Sequence, residues 1–418
     1  MAMDTDTFVE REVRRQGRAT TVTFIDPVEE PLFCPIISAD DHAMEPPTLF
    51  EGRLPAALQD RAPYVEVADD GLPWWVVEGK RLPIIMTNAA AGRERSEWAT
   101  NGVAYEDMWP GVADSRARLD DMDLTGTWAS LCFGSTLWGF AGTRFSTMSD
   151  PALGRACLQA YNDWMLDEWC AADPDRFIPC QLPWLADPVV AAEEIRLNAA
   201  RGYRAVSFSE NPEGLGFPNV YDDSWDLFFR ACEETETVVN LHVGSSGSVP
   251  QPCSSSHVEV NAALFPVSGI NALVDWIFAG IPARYPDLKI VMSEAGVSWV
   301  PMVLERLQRS YRNQIAGPWP GGDLTPVELV RRNFFFTSIE DPSGFQQLDL
   351  IGEDNVMVET DYPHFDTTWP EVQSMIRGQL VDLPAAQVRK VCFENAARVY
   401  RSTPPPADLV ARSEVGAA

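Results

Sequence analysis

The sequence predicts an α/β fold, a (β/α)8 TIM barrel with an insertion after strand one and an N-terminal arm. Three observations predict it. Apolar, strand-like runs at 36–42, 126–133, 177–183, 203–208, 236–242, 288–294, 333–339 and 355–361 alternate with segments of helix length. Strands spaced in this way need parallel crossovers, and eight such units suit a closed barrel. The chain has 418 residues and 45% hydrophobic content, enough for one large core. Finally, three of the runs end in side chains able to bind a cation, where a barrel of this kind places its active site.

Residues 1–33 are polar, charged and irregular, and read as an arm that either wraps a neighbouring subunit or stays loose. Residues 34–401 are assigned to the barrel. About eighty residues separate its first two strands, so an insertion is expected over about 50–125, acting as a cap or a subunit contact. Within it, Gly71-Leu72-Pro73-Trp74-Trp75-Val76-Val77-Glu78-Gly79 suggests a hairpin, and Glu106–Leu124 a helix leading into strand two. A helix over Ala152–Ala171 should stop before Asp173-Pro174-Asp175, and one over Pro188–Ala200 should start from Asp187 and stop at Gly202. Residues 402–418, opening Ser402-Thr403-Pro404-Pro405-Pro406, read as a flexible tail.

A formal charge of −29, from 61 acidic and 32 basic residues, repels phosphate backbones and anionic membranes at long range. We therefore expect no nucleic acid and no membrane partner, and an anionic substrate would need local Arg groups or a cation to hold it. Lys occurs only at Lys80, Lys289 and Lys390, which leaves few candidates for Schiff-base chemistry. The eight cysteines include no CxxC pair, so a thiolate zinc site or disulfide framework is not expected, and buried free thiols are. Neither end carries an apolar stretch long enough for a signal peptide or a membrane span, and the expected location is cytoplasmic.

Strand one ends Ile36-Ile37-Ser38-Ala39-Asp40-Asp41-His42. Asp40 and His42 lie two apart and project to one face, so both could grip one cation. A capping Asp beside a hydrogen-bonded His is the ordinary alternative. Thr237-Val238-Val239-Asn240-Leu241-His242 and Asn355-Val356-Met357-Val358-Glu359-Thr360-Asp361 end in further donors, and a satisfied strand-end polar group is the alternative for each. On a barrel, Asp40, His42, His242 and Asp361 would face a common mouth around one divalent metal ion, and two imidazoles with two carboxylates suit zinc or manganese better than calcium. Trp138, Phe140, Trp184, Phe208, Trp299 and Trp369 flank strand ends, where they either line an apolar pocket or pack in the core. His257 reads as a surface residue, and Gly244-Ser245-Ser246-Gly247-Ser248 as a flexible loop without a phosphate-binding pattern.

Four segments in order carry a resemblance: Ile37-Ser38-Ala39-Asp40-Asp41-His42-Ala43-Met44-Glu45-Pro46-Pro47, Leu241-His242-Val243-Gly244, Ser293-Glu294-Ala295-Gly296-Val297-Ser298-Trp299-Val300-Pro301 and Glu359-Thr360-Asp361-Tyr362-Pro363-His364. They resemble the signature segments of amidohydrolase-related proteins, in the superfamily branch with aminocarboxymuconate-semialdehyde decarboxylase and resorcylate decarboxylases. The likeness runs from about residue 35 to about 400 and includes Glu394-Asn395-Ala396-Ala397-Arg398-Val399-Tyr400. It implies one catalytic metal with ligands Asp40, His42, His242 and Asp361. Two departures stand out. Asp40 replaces the first His of the usual His-x-His, as a carboxylate does in some resorcylate-type relatives, and Glu294 stands where many relatives have the strand-six His. Glu294 either takes over proton transfer or caps its strand in a salt bridge to Arg306 or Arg309. His364 either supports the metal site or acts as an acid, or else caps the Tyr362-Pro363 turn.

The resemblance implies an enzyme, a metal-dependent lyase that decarboxylates an aromatic or unsaturated carboxylic acid without oxidation. In that scheme Asp361 delivers a proton to the carbon that loses carbon dioxide. The alternatives are a metal-dependent hydrolase acting on a lactone, amide or C–C bond, and an inactive barrel serving as a binding subunit. The expected partner is a small-molecule carboxylic acid, and a homodimer or larger homo-oligomer is expected by analogy of fold.

Overall fold

In a computed structural model, residues 8–15, 18–94, 97–98, 102–314 and 317–416 are described. Eight parallel strands form one sheet in chain order: β1 (Ile36–Ala43), β2 (Thr127–Gly134), β3 (Phe177–Gln181), β4 (Ala205–Phe208), β5 (Val238–His242), β6 (Ile290–Ser293), β7 (Phe334–Ser338) and β8 (Val356–Val358). Each falls inside or within a residue of its expected run. Most of their residues are buried, as expected for strands covered by helices outside and by packed side chains inside.

The sheet is a nearly closed barrel. Beyond the ladder, backbone bonds join its first and last strands: Asp361 N–H donates to the Asp40 carbonyl at 3.0 Å, and His42 N–H to the Tyr362 carbonyl at 2.6 Å. The Thr360 N–H adds a bond to Ser38 Oγ at 3.0 Å. Register between β1 and β2 slips between Ser38 and Asp41, a bulge that re-aims the chain just where Asp40 sits.

The helices form where the sequence places caps. Asp187 accepts from the N–H groups of Val189 and Val190 to start Pro188–Arg201, and Gly202, at φ 118°, ends it in a backbone region closed to most side chains. The helix expected over Ala152–Ala171 starts at Pro151 on an Asp150 cap, runs as α-helix to Trp164 and continues in looser turns to Ala172. The helix before β2 is shorter than expected, Ser115–Thr125, because Asp114 caps it and Pro110 opens a separate turn upstream.

Three regions are more ordered than their composition suggests. Residues 1–33, expected to be irregular, contain an antiparallel hairpin of Phe8–Arg15 with Arg18–Ile25, and its second strand buries Val22 and Phe24. The alternation Thr21-Val22-Thr23-Phe24 is a period-two signal that the surrounding charge obscures. Within 50–125, Tyr64–Val67, Pro73–Val77 and Lys80–Pro83 form a three-stranded antiparallel sheet. Its turn holds Glu78 and Gly79 at φ 49° and 75°, which matches the twist of a two-residue hairpin. Trp75 packs edge-on against Trp138 at 5.3 Å and against Phe50 at 5.7 Å, fixing this sheet to the barrel. The tail expected to fray instead docks: a helix spans Ala407–Arg412, Val415 is buried, and the N–H groups of Glu414 and Val415 donate to the carbonyls of Leu32 and Phe33. Among the described residues, no helix is long and apolar enough to cross a membrane.

Candidate metal centre

Asp40, His42, His242 and Asp361 are each at most 1% exposed and converge at the C-terminal ends of β1, β5 and β8. His42 Nε2 lies 3.3 Å from Asp40 Oδ1, 3.2 Å from Asp361 Oδ1 and 3.3 Å from His242 Nε2. His242 Nε2 lies 3.4 Å from Asp40 Oδ2. Asp361 reaches this position through a left-handed backbone, at φ 49°, that turns it out of the strand direction.

The hydrogen bonds around the two rings decide what the cluster can hold. His42 Nδ1 sits 2.9 Å from the Gly134 carbonyl and His242 Nδ1 2.8 Å from the Val243 carbonyl. A carbonyl can only accept, so in the neutral rings both Nδ1 atoms carry the proton and both Nε2 atoms present lone pairs. Two Nε2 lone pairs then face one another and two carboxylates, all four being acceptors. Despite the short contacts, both oxygens of Asp40 and of Asp361 lack a hydrogen-bond donor. Such a set needs positive charge at its centre. Without an ion, extra protons are the substitute. Burial would depress the pKa of His42, but hydrogen bonds and charge from Asp361 and Asp40 push it up to about 10. Burial likewise opposes, and the Asp40 charge overrides, to push His242 up to about 9. Ligand atoms of Asp40, His42 and His242 lie close enough together to hold one ion, as do those of His42, Asp361 and His364. The donor set therefore fits a divalent cation.

His364 packs its ring on His42 with centroids 3.6 Å apart and brings Nδ1 within 3.0 Å of Asp361 Oδ1. Its backbone also closes the turn, with His364 N–H donating to the Asp361 carbonyl at 2.8 Å, so the residue both shapes the turn and faces the centre. Its Nε2 is buried without a partner. Glu294, at φ 61°, points its carboxylate to 3.6 Å from His242 Nδ1. Burial, and then the Asp361 charge, push its pKa well up. An Arg salt bridge is not what holds Glu294; His242 is its ion-pair contact among the described residues.

Glu359 escaped the sequence reading. It is buried, accepts from Thr337 Oγ1 and from the Glu294 N–H, and burial pushes its pKa well up. Asp41, beside Asp40, also escaped it. Its carboxylate faces the opposite way and accepts from Ser38, Ser130, Thr360 and the Tyr362 N–H, tying β1 to β2 and β8. Arg118 supplies the countercharge: it donates to the His42 carbonyl at 2.7 Å and the Gly111 carbonyl at 2.8 Å, and lies 3.9 Å over the Tyr362 ring. Arg118→Met is expected to cost about 1.5–3 kcal/mol for each charged hydrogen bond lost, because the buried His42 and Gly111 carbonyls are left without their donor. Denaturant unfolding would show this as a lower midpoint at unchanged slope, and a midpoint like that of the parent would reject the role.

A cavity of about 620 Å³ opens on the centre through His242, His364 and Glu294, walled by Ile85, Leu137, Phe140, Val249, Phe265 and Phe365. Phe140 stacks on His242 at 4.3 Å. Of the other aromatic candidates, Trp138, Trp184, Phe208 and Trp299 are buried in the core, and Trp369 lines a second cavity of about 1100 Å³ that also touches Glu294. Gly244 to Ser248 form a turn over the first cavity, and His257 is exposed.

A family model described as Amidohydrolase matches residues 141–402. No curated protein matches the sequence. Similar solved structures include an amidohydrolase from Mycobacterium avium subsp. paratuberculosis K-10, 22% identical over 88% of this chain and 99% of that one, with a TM-score of 0.66. A 5-carboxyvanillate decarboxylase from Novosphingobium aromaticivorans DSM 12444, complexed with manganese and 4-hydroxy-3-methoxy-5-nitrobenzoic acid, is 20% identical over 89% and 99%, with a TM-score of 0.61. A 2,6-dihydroxybenzoate decarboxylase from Rhizobium is 15% identical over 88% and 99%, with a TM-score of 0.57. At these identities the likeness is one of fold.

Proposed function

Because the chain belongs to the amidohydrolase family, we propose that it is a metal-dependent lyase acting on an aromatic or unsaturated carboxylic acid by non-oxidative decarboxylation. The observation that carries this is the buried, acceptor-only cluster of Asp40, His42, His242 and Asp361 opening into an apolar-walled cavity. These four residues would hold one zinc or manganese ion. When bound, that ion supplies Lewis-acid charge to a substrate carboxylate and a neighbouring oxygen. The decarboxylase relatives, one of them complexed with manganese and a benzoic acid, support the choice of chemistry.

The chain's own residues handle the proton. Asp361, with His364 Nδ1 at 3.0 Å, takes up a proton and gives it to the carbon bearing the carboxylate. The bond from that carbon to the carboxylate then breaks, its electron pair returns to the π-system, and carbon dioxide leaves. Burial would raise the Asp361 pKa, but the His364 and His42 rings hold it below the usual carboxylate range, so Asp361 rests as a carboxylate and the proton it gives has to be delivered to it. The His364 ring, which lines the cavity, is placed to reload it. Phe140 and the other apolar walls exclude water from the carbon.

The test is to incubate manganese-loaded protein with carboxyl-labelled hydroxybenzoic acids and collect the released label. Labelled carbon dioxide in step with loss of substrate is the expected result. A product that gains oxygen from labelled water, with no carbon dioxide, would replace this proposal with the hydrolase.

A further inference from the structure

We propose that Arg144 is a specificity residue that selects substrates carrying a second anionic group; this rests on the carboxylic acid reading above and deepens it. Among the described residues lining the 620 Å³ cavity, Arg144 is the one permanent cation. It makes no ion pair among the described residues, although the chain carries 61 acidic side chains. Most of the other arginines near an acidic group have closed on it, such as Arg155 on Glu194 at 3.0 Å and Arg201 on Asp163 at 2.7 Å.

The segment holding Arg144 is built to keep it there. Arg144 lies in the turn Thr143–Ser146, which follows β2. Gly142 opens the turn at φ 66°, and a Cβ there would lie 2.3 Å from the Pro183 carbonyl, so only glycine allows the close seat. The Ala141 N–H donates to Ser207 Oγ at 3.0 Å on one side, and Ser146 Oγ accepts from the Leu185 N–H at 3.0 Å on the other. Both ends of the turn are thus anchored, one to β4 and the other to the segment after β3. The turn is fixed, while the Arg144 side chain, exposed at the mouth of the cavity, is left to meet a ligand.

The cavity's remaining polar atoms agree with a ligand. Thr143 Oγ1, Asn261 Oδ1 and His364 Nε2 line it and are buried without partners. Thr143 and Arg144 adjoin in sequence and together offer the donors that a carboxylate accepts. The cavity then has two positions for negative charge, the metal cluster and the Thr143–Arg144 donors, separated by apolar walls. A planar acid with anionic groups at both ends satisfies both. A net charge of −29 repels a dianion more than a monoanion at long range, so any preference for the dianion has to come from a local cation.

The experiment is calorimetric titration of manganese-loaded protein with benzene-1,3-dicarboxylate and with benzoate, at one fixed ionic strength. Benzoate lacks the second group and reports on the metal side alone. The parent is expected to favour the dicarboxylate by about tenfold to a hundredfold, the range for a charged hydrogen bond. Arg144→Gln is expected to lose that preference while keeping its metal content and melting temperature, and Arg144→Lys to recover part of it, since an ammonium lacks the planar fork. A preference that survives Arg144→Gln, or benzoate and dicarboxylate binding equally to the parent, would overturn the role of Arg144 alone. If neither acid binds the metal-loaded parent, the carboxylic acid reading falls, and this inference with it.

Discussion

Turnover by an Asp361→Asn variant is expected to fall by about a hundredfold to ten-thousandfold, the usual contribution of a positioned proton donor. Asparagine keeps the shape of the side chain and one oxygen that can accept from His364 Nδ1, so the left-handed turn and the cavity should persist. It cannot hold a transferable proton. Metal content measured beside turnover separates the two roles of the residue. Retained metal with lost turnover is the expected pattern, and retained turnover on a confirmed substrate would remove Asp361 from the proton path.

His242→Ala is expected to reduce bound metal from about one ion per chain to a trace, with turnover lost in parallel. The substitution removes a lone pair aimed at the centre and leaves Asp40 Oδ2 without the ring that faces it at 3.4 Å. The same variant separates a metal site from a protonated polar cluster. If an ion is bound, adding manganese should raise the parent's melting temperature and leave that of the variant nearly unmoved, with about 2.7 kcal/mol at stake at a hundredfold excess over the dissociation constant. Elemental analysis by plasma mass spectrometry reads the stoichiometry directly. Equal metal in parent and variant would place the ion elsewhere.

Much of this was legible in the residues. The eight barrel strands follow from apolar runs with helix-length gaps, and Asp40, His42, His242 and Asp361 could be picked out because each ends one of those runs. Their convergence is a consequence of barrel geometry. Glu294 was legible as a strand-end carboxylate, but whether it faced an arginine or His242 depends on its positive φ, which a glutamate gives no cause to expect. Asp41 and Arg118 were hidden for another reason. Asp41 looks like a neighbour of the important residue, and only the pleat shows that it points away into its own network. Arg144 stands outside any regular run, so its meaning comes from the cavity it shares with His242. The N-terminal hairpin and the docked tail were masked by composition, since a few buried residues such as Phe24 and Val415 outweigh the charge and proline around them.

The barrel's seam has a consequence for how the protein matures. Asp361 donates its N–H to the carbonyl of Asp40, and Thr360 reaches Ser38 across 322 positions of sequence. The residues proposed to grip the ion thus straddle the seam between the barrel's first and last strands. Closing a loop of that size comes late, after the local βα units have formed. A nascent chain still short of residue 361 lacks one of the four proposed ligands and the seam bonds that position Asp40 and His42. Ion capture would then be a checkpoint on the finished polypeptide, admitting only chains whose two ends have met.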